Sequence, residues 1–392
     1  MSSIDRLARF ITHRELKILS WEQDGKAHSL VRCEKVSRGE VCPRCAQFTN
    51  SIYDRRSVKI KDAPIRNSGI VLLINKRRFY CKSCRKPFTE PVPGVLPRKR
   101  TTQRLQRAVA NACRKYSSLK DVRRDFRCSS SYVYKAFYSQ LRIDTKSRIN
   151  YPWPSTIGID EHFFTRKNGY REFMTIFIDY KNKRPRELIL GRDTSTLISG
   201  VNHIEGRERV QNVVMDLSRS YRSFVREYFS NAQIIADKFH VLRLLTPAIN
   251  RLRKQYTGDD RKNPIRRLLL CSSKKLDYFK RKVIWDWLKD KDDLRELYYY
   301  KEALLTLYRT RGHSKAKRAL TKLTDQMSYS NLKEIHSLRN TLRKWSTEIL
   351  NYFKTGLTNA RTEGFNNVAK TIQKRGYGFK NPDNYRLRVL NA

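Results

Sequence analysis

Hydrophobic positions follow two different spacings along the chain, and the change of spacing predicts where sheets give way to helices. Residues 156–164, 173–180 and 187–190 are rich in apolar side chains, and polar turn-forming residues at 167–169 and 181–183 separate them. Apolar runs of this length, bounded by Asn, Gly and Lys, predict strands. Because the connections are tight, the three strands are expected to pair as an antiparallel meander.

The segment after the meander predicts alternating strands and helices. A strand over 210–216 is followed by a helix over 219–229, and a strand over 232–236 is followed by a long helix over 239–255. Three antiparallel strands followed by β-α-β-α are the element order of a ribonuclease-H-like fold. The pattern therefore predicts the first part of a ribonuclease-H-like α/β core in residues 151–255.

Residues 256–355 show apolar side chains at helical spacing almost throughout. These stripes predict helix faces that pack against one another, and we assign no chemistry to them. We interpret the segment as an all-helical insertion, after which residues 356–392 return to the core. One such stripe consists of Leu332, Ile335, Leu338, Leu342, Trp345, Ile349 and Phe353.

Residues 96–150 predict two short helices joined by a tight turn. Leu119, Val122 and Phe126 share one face of the first helix, and the second is expected over residues 132–141 behind a serine cap. This arrangement resembles a helix-turn-helix, whose second helix enters the major groove of DNA. The alternative is an ordinary helical hairpin that connects two domains. The proline-rich residues 150–154 are expected to form a stiff linker after it.

The charge of the chain favours a polyanionic partner. Lysine and arginine number 84 against 37 acidic residues, which gives a formal net charge of +47. An excess of this size opposes folding by self-repulsion, so it favours a function on a phosphate backbone or, less strongly, on an anionic membrane surface. The side chains expected to contact DNA in this region are Arg98, Lys99, Arg100, Tyr132, Lys135 and Tyr138.

No segment predicts a membrane span or a secretory signal. The longest apolar run, residues 70–74, is far shorter than the roughly 18–20 residues that a bilayer requires. Residues 1–17 contain acidic side chains and no apolar stretch, unlike a signal peptide. The cysteines are therefore expected to remain reduced, and paired cysteines then indicate a metal site rather than disulfides.

Two CxxC pairs, Cys42 with Cys45 and Cys81 with Cys84, predict a structural zinc site within residues 1–95. Two residues between cysteines allow a tight turn to direct both thiolates at one tetrahedral ion, and two such turns joined by β-rich sequence are typical of a zinc ribbon. Two unrelated turns are the alternative. Cys33 is a candidate extra ligand, although a small buried apolar residue is the simpler interpretation.

Three acidic residues stand out by their positions. Asp160 lies in an apolar strand, Asp216 ends another strand, and Glu363 begins a helix on which Lys370 and Lys374 share its polar face. A carboxylate in an apolar strand is costly unless it is paired or bound to metal, and carboxylate oxygens suit Mg²⁺ or Mn²⁺. Taken one by one, a strand-end hydrogen bond at Asp160, a helix cap at Asp216 and a helix-dipole contact at Glu363 are equally good explanations.

Asp237 is a rival for the second acidic position. It also follows a predicted strand, and His240 lies one helical turn later, so the pair could bind metal. The simpler interpretation makes Asp237 a helix cap, with His240 in a structural or DNA-facing role. We prefer Asp216.

Four strings of sequence resemble the bacterial ISL3 family of DDE transposases. They are GIDEHFF (158–164), VVMDLSRSY (213–221), IIADKFHVLRLL (234–245) and NARTEGFNNVAKTIQKRGYGF (359–379). The resemblance implies that Asp160, Asp216 and Glu363 form the catalytic triad and that the long interval before the last acid holds inserted helices. The implied location is the cytoplasm, at the nucleoid of a bacterium.

The resemblance also implies a reaction. Three carboxylates would hold two divalent ions, Mg²⁺ or Mn²⁺, for cleavage at the ends of an insertion sequence and strand transfer into target DNA. Lys370 and Lys374 would hold phosphates near the cut. The expected partners are double-stranded DNA, both terminal inverted repeats and target, and further copies of the chain in a dimer or larger complex. The alternatives are a catalytically silent DNA-binding regulator and a hydrolytic nuclease that never joins strands.

Overall fold

The chain divides into two compact units, Met1–Arg148 and Ile149–Ala392. The sequence of residues 1–17 predicts no secretory signal, and most of that segment, residues 1–14, lies outside the described residues. Among the helices that are described, none combines the length and the apolar character needed to cross a lipid bilayer. The computed structural model describes residues 15–25, 28–65, 68–116, 118–258 and 263–392.

A five-stranded sheet forms the first part of the first unit. Its strand order is β1-β2-β6-β5, with β7 paired to β6; β2 and β6 run parallel and the other pairs are antiparallel. Ile70, Leu72 and Ile74 alternate with more exposed neighbours along β6 and form the core of this sheet with Val31 and Ile60. The strands are β1 (Leu16–Asp24), β2 (His28–Lys35), β3 (Glu40–Val41), β4 (Phe48–Thr49), β5 (Ile52–Ile65), β6 (Ser68–Cys81) and β7 (Lys86–Thr89), of which β3 and β4 pair separately.

Three helices follow in the same unit: α1 (Gln103–Lys115), α2 (Leu119–Asp125) and α3 (Ser130–Arg148). The hydroxyl of Ser118 accepts a hydrogen bond from the second residue of α2, and that of Ser129 accepts one from the backbone N–H of Tyr132. Arg127 has a φ of 50°, a left-handed conformation that ends α2 and turns the chain. The predicted pair of helices is therefore present, and α3 is longer than the predicted 132–141.

The second unit is built on a five-stranded mixed sheet in the order β10-β9-β8-β11-β12. The first three strands form the predicted antiparallel meander, and β11 runs parallel to both β8 and β12. The three meander strands begin or end a few residues beyond their predicted limits, because their polar ends continue the ladder. The strands are β8 (Thr156–Lys167), β9 (Tyr170–Asp179), β10 (Arg184–Leu190), β11 (Asn212–Met215) and β12 (Gln233–Ala236).

Apolar side chains cover both faces of this sheet. Val213 and Met215 belong to a large core shared with most of the helices, whereas Val214 between them belongs to a smaller core on the opposite face. The helices of the second unit are α4 (Thr194–Val201), α5 (Arg219–Tyr228), α6 (Lys238–Leu242), α7 (Thr246–Thr257), α8 (Pro264–Leu270), α9 (Tyr278–Leu288), α10 (Asp292–Leu307), α11 (His313–Gln326), α12 (Lys333–Lys344), α13 (Ser346–Thr355), α14 (Ala360–Arg375) and α15 (Pro382–Leu390).

The single long helix predicted over 239–255 is wrong. The structure has two helices, α6 and α7, separated by a turn. Pro247 lies in the first turn of α7, where its missing N–H is tolerated, but inside a continuous helix its ring would clash with the carbonyl four residues earlier. The apolar spacing continues through the break, which is why it predicted one helix.

The proline-rich segment 150–154 is not a free linker. Trp153 is 2% exposed, and its ring lies 5.8 Å from that of Phe177 and 5.2 Å from that of Phe229, centre to centre. Its backbone N–H also donates to the carbonyl of Glu205. The segment therefore belongs to the core of the second unit.

Candidate active site, zinc site and basic groove

Asp160, Asp216 and Asp237 lie side by side on three neighbouring strands. Met215 in β11 pairs in parallel register with the residue before Asp160 in β8 and with the residue before Asp237, at the end of β12. The three aspartates are the next residues in each case. Because side chains at matching positions of paired strands point to the same face, the register places all three carboxylates together, on the face of the smaller core.

Asp216, Asp237 and His240 form a hydrogen-bonded group. Nδ1 of His240 lies 2.9 Å from Oδ1 of Asp216 and 3.0 Å from Oδ2 of Asp237. Hydrogen bonds to Asp216 and then to Asp237 raise the pKa of His240 to about 10. The imidazolium form therefore balances the two carboxylates at neutral pH. Ligand atoms of the three residues lie within 4.8 Å of one another, so the group can share one cation once the ring loses its proton.

Asp216 and Asp237, the two candidates for the second acidic position, differ in burial and in hydrogen bonding. Asp237 is completely buried; one of its oxygens accepts the backbone N–H of His240 at the start of α6, and the other accepts the backbone N–H of Asn359 at 3.2 Å. The side chain of Asp216 is 23% exposed. The hydroxyl of Ser218 caps α5, so Asp216 does not cap that helix, whereas the cap interpretation is correct for Asp237.

Asp160 lies within β8, after the buried residues Ile157, Gly158 and Ile159 and before the partly buried Glu161. Its two oxygens accept hydrogen bonds from the backbone N–H of Glu161 at 2.7 Å and from Nδ2 of Asn366 at 2.6 Å. Burial, together with the negative charge of Asp216, raises the pKa of Asp160 to about 6. Two carboxylates that lie this close on a half-buried surface repel each other, and a bound cation would remove the repulsion.

Helix α14 carries Glu363 and packs over the aspartates. Asn359, at the start of the helix, donates from Nδ2 to Oδ1 of Asp216 at 3.3 Å, and Asn366 donates to Asp160. Glu363 lies between these two asparagines in the sequence and in the first turn of the helix, and its side chain is partly exposed. Glu363 follows Asn359 by four residues and precedes Asn366 by three, so helical spacing places it on the face of α14 that contacts the aspartates.

Helix α14 lies against the sheet at Gly158. A Cβ at this position would come within 2.0 Å of Oγ1 of Thr362 and 2.7 Å of the Tyr180 ring. Thr362 and Tyr180 are themselves 3.1 Å apart through their hydroxyls. The missing side chain of Gly158 therefore allows the helix to lie against β8.

The structure brings Asp160, Asp216 and Asp237 together, and places Glu363 on the helix that contacts them. Within the described ranges, the acidic set that could share a single cation consists of Asp216, Asp237 and His240, and Asp160 and Glu363 lie outside it. Sequence reasoning missed Asn359, Asn366, Thr362 and Gly158. Asn366 stands in the Glu-Gly-x-Asn string, so the string was the available signal. Lys370 and Lys374 are exposed on α14.

The donor atoms at this site suit a hard divalent cation. The strand register sets the carboxylates of Asp160 and Asp216 on one face of the sheet, and burial together with the charge of Asp216 raises the pKa of Asp160 to about 6. The amide oxygen of Asn359 is buried and has no hydrogen-bond partner among the described residues. The residues present therefore fit Mg²⁺ or Mn²⁺.

The four predicted zinc ligands lie together in the first unit. Sγ of Cys42 is 4.0 Å from Sγ of Cys84, and Sγ of Cys45 is 3.5 Å from Sγ of Cys81. Backbone N–H groups of the residues that follow it lower the pKa of Cys42 to about 7, which favours the thiolate that zinc binds. The four sulfur atoms form a group that can hold one ion.

Cys33 lies outside the zinc group. Its side chain is fully buried in the core of the first sheet, and this burial raises the pKa of Cys33 to about 12. A thiol in such surroundings stays protonated and behaves as a small apolar group. The interpretation of Cys33 as a buried core residue therefore fits, and the extra-ligand interpretation does not.

A groove of about 690 Å³ lies between α3 and the segment before α1. Its lining carries Arg98, Lys99, Arg100, Tyr132 and Lys135, which are five of the side chains expected to contact DNA. Four of the five are cationic side chains, and they converge on one concave surface. A phosphate backbone suits this arrangement of charge.

The expectation that Tyr138 is exposed is wrong. Tyr138 is 4% exposed, and its ring packs 4.5 Å from that of Tyr134 and 5.4 Å from that of Phe137, centre to centre. Tyr134, 46% exposed, is the more accessible tyrosine on this helix. Helical spacing places Tyr138 next to the buried stripe of α3, and packing of α3 against α1 covers it.

In comparisons with known proteins, each of the two units matches a family model of transposases. A transposase family model, the DDE model of the ISL3 group, matches residues 157–389, and a model described as the zinc-finger of transposases IS204, IS1001, IS1096 and IS1165 matches residues 38–84. The transposase for insertion sequence element IS1001 of Bordetella parapertussis is 22% identical over 95% of this chain and 94% of its own length. Because the first model covers more than half of the chain, the chain belongs to the ISL3 family of DDE transposases.

Proposed function

We propose that the second unit is a ribonuclease-H-like catalytic core that cleaves DNA at the ends of an insertion sequence and transfers the freed strand into target DNA. The observation that carries the proposal is the parallel register of β8 and β11, which sets Asp160 beside Asp216 where two asparagines of α14, the helix of Glu363, contact them. The inserted helices between β12 and α14 explain why the third acid is so distant in sequence.

Asp160, Asp216 and Glu363 would hold the divalent ions, Mg²⁺ or Mn²⁺. When bound, two such ions supply the positive charge that phosphodiester cleavage and transfer require. The protein's own part is to fix the carboxylates, exclude bulk water on the sheet side and hold the DNA backbone. Lys370 and Lys374, exposed on the helix that carries Glu363, are suited to hold phosphates beside the cut.

Asp216 is the better candidate for the second acid. Both oxygens of Asp237 are occupied by hydrogen bonds within a fully buried site, whereas Asp216 is partly open to solvent and to a ligand. Asp237 then acts as the cap of α6 and as a partner that holds His240. The two acids therefore take different roles in one cluster.

The first unit would bind the element ends. Its zinc ribbon (residues 1–95) and a helix-turn-helix (residues 96–150) made of α2 and α3 would both contact DNA, and the basic groove lies in the second of these two parts. Residues 151–255 and 356–392 would form the core, with 256–355 as the insertion. Joining two DNA ends requires at least two active sites, so we propose a homodimer or larger complex on DNA.

The test is cleavage of a linear fragment that bears the element ends, in Mg²⁺. Asp160→Asn, Asp216→Asn and Glu363→Gln should abolish cleavage and leave end binding intact. Asp325→Asn, an exposed aspartate on α11, is the matched control and should cleave normally. Full activity of Asp216→Asn together with loss in Asp237→Asn would move the second catalytic position to Asp237.

Two other functions give different products in the same assay. A silent DNA-binding regulator would bind the ends without Mg²⁺-dependent cleavage. A hydrolytic nuclease would cut, but it would not join pre-cut ends to a target plasmid. Joined products made from pre-cut ends therefore distinguish a transposase from both.

A further inference from the structure

Helix α14 contributes two buried asparagines to the site in addition to Glu363. Asn366 is 2% exposed, and its Nδ2 donates to Oδ2 of Asp160 at 2.6 Å and to the carbonyl of Glu161 at 3.0 Å. Asn359 is fully buried, and its Nδ2 donates to Oδ1 of Asp216 at 3.3 Å. Each of the two neighbouring strand carboxylates is thus held by one amide from the same helix.

We propose that Asn359 and Asn366 are positioning residues that orient Asp216 and Asp160 for divalent ions. The inference rests on the proposed function, because it assumes that these two carboxylates are the ligands. A carboxylate on a strand is free to rotate about its last bond, and a hydrogen bond from a rigid neighbour fixes that rotation. Partners of this kind commonly change metal affinity or activity by about 10–100-fold when they are removed.

The chemistry of the amide fits this role better than a charged group would. An amide donates a hydrogen bond without carrying charge, so it fixes a carboxylate and leaves its negative charge available to a cation. A lysine or arginine at either position would compete with the metal for the same carboxylate. His240 shows that contrast, because its ring nitrogen lies within hydrogen-bond distance of both Asp216 and Asp237 and so occupies oxygens that a cation would use.

The side chain of Asn359 does not cap α14, although its position before the first turn predicts a cap. Asn359 is the residue before the first turn of α14, where asparagine usually caps the helix through its side-chain oxygen. Here its side chain makes no capping hydrogen bond. The side chain contacts Asp216 instead, and its backbone N–H donates to Asp237. Helix capping therefore does not account for this asparagine.

The outer oxygen of Asn359 gives a second, independent observation. Oδ1 of Asn359 is buried and unpaired within the residues that the structure describes. Buried polar atoms are nearly always satisfied, by protein, water or ion. Mg²⁺ keeps part of its hydration shell in proteins, and the waters of such a shell are donors that suit this oxygen.

The experiment measures Mn²⁺ affinity by electron paramagnetic resonance on the full chain, without DNA. Asn359→Leu and Asn366→Leu, which keep the side-chain size and remove the donor, should weaken Mn²⁺ binding about 10–100-fold. Asn367→Leu, the exposed neighbour on α14, should leave the affinity unchanged. End cleavage by the two buried variants should recover as Mn²⁺ is raised, and Asn359→Gln and Asn366→Gln should lie between the Leu variants and the unmodified protein.

Wild-type Mn²⁺ affinity in a folded Asn366→Leu or Asn359→Leu protein would overturn the proposal. If a Leu variant loses the near-ultraviolet circular dichroism of the folded chain, the Ala variant at the same position gives the same measurement with less bulk. Failure of the proposed function has a different signature, because Asp160→Asn would then keep both Mn²⁺ affinity and cleavage. Loss of both in Asp160→Asn, with unchanged affinity in the asparagine variants, would reject the positioning role alone.

Discussion

Asp160 and Asp216 occupy neighbouring positions on two parallel strands, because Ile159 and Met215, the residues before them, are paired in the ladder. A shift of one residue in that register would send one of the carboxylates to the opposite face of the sheet. Val214 and Met215 belong to cores on opposite faces, and this burial on both sides holds the register. The packing of the sheet thus sets the geometry of the site.

Replacing Asp160 with asparagine should stabilise the metal-free protein while it abolishes cleavage. The pKa of Asp160 rises from 3.8 to about 6 on folding, so folding is penalised when the group is ionised. Stability contributed by this group therefore falls as pH rises from about 4 to 6 and stays low above that range. At pH 7.5 and without divalent ions, urea unfolding should show Asp160→Asn more stable by about 1–3 kcal/mol.

Changing the pH and adding Mn²⁺ provide controls for the stability comparison between Asp160→Asn and the unmodified protein. At pH 4, where Asp160 is protonated in the folded state and only partly ionised in the unfolded state, most of the stability difference should disappear. Saturating Mn²⁺ at pH 7.5 should stabilise the unmodified protein and leave Asp160→Asn nearly unchanged, since binding to the folded state adds stability by mass action. Equal stability of the two proteins across this pH range would contradict the raised pKa.

Mutation of one zinc ligand should release the metal, whereas mutation of Cys33 should not. Cys42→Ser removes one of four thiolates, and zinc content measured by atomic absorption should fall from one ion per chain to nearly none. Cys33→Ala should keep its zinc and lose roughly 1 kcal/mol of stability from the core of the first sheet. Zinc loss in Cys33→Ala would restore Cys33 as a ligand.

Removal of a cationic side chain from the basic groove should weaken DNA binding without changing sequence preference. Lys135→Ala should lower affinity for element ends and for unrelated duplexes to a similar degree, and should reduce the slope of log affinity against log salt by about 1. Lys146→Ala removes the same charge from an exposed position three turns later on α3, and it should leave the slope near the unmodified value. Equal effects of the two substitutions would argue against the groove.

Two glycines near the site should respond in opposite directions to alanine. Gly158→Ala places a methyl against Thr362 and Tyr180, so it should push α14 away from β8, lower the melting temperature and abolish cleavage. Gly364 lies inside α14 with no atom within 4 Å of an added Cβ. Gly364→Ala should therefore stabilise the free protein by about 0.5–1 kcal/mol. A tolerated Gly158→Ala would show that α14 does not lie close to β8.

Much of the fold follows from local patterns. The tight turns after β8 and β9 predict the meander, the serine before α3 predicts a helix start, and the spacing of Cys42 and Cys45 predicts a metal-binding turn. The spacing of apolar residues does not predict the end of a helix where the same helical period continues into the next one. The interruption between α6 and α7 depends on Pro247, and the burial of Tyr138 depends on a neighbouring helix.

The sequence by itself determined the types of chemistry in this protein: paired thiolates, acids at strand ends, and an excess of basic side chains. Only the tertiary structure decided which groups meet. Asn366 reaches Asp160 across 206 residues of sequence because α14 packs on β8, and Asp237 is withdrawn into a buried cap while Asp216 remains partly open. Contacts between distant segments depend on strand register and helix packing, and no local pattern of residues specifies them.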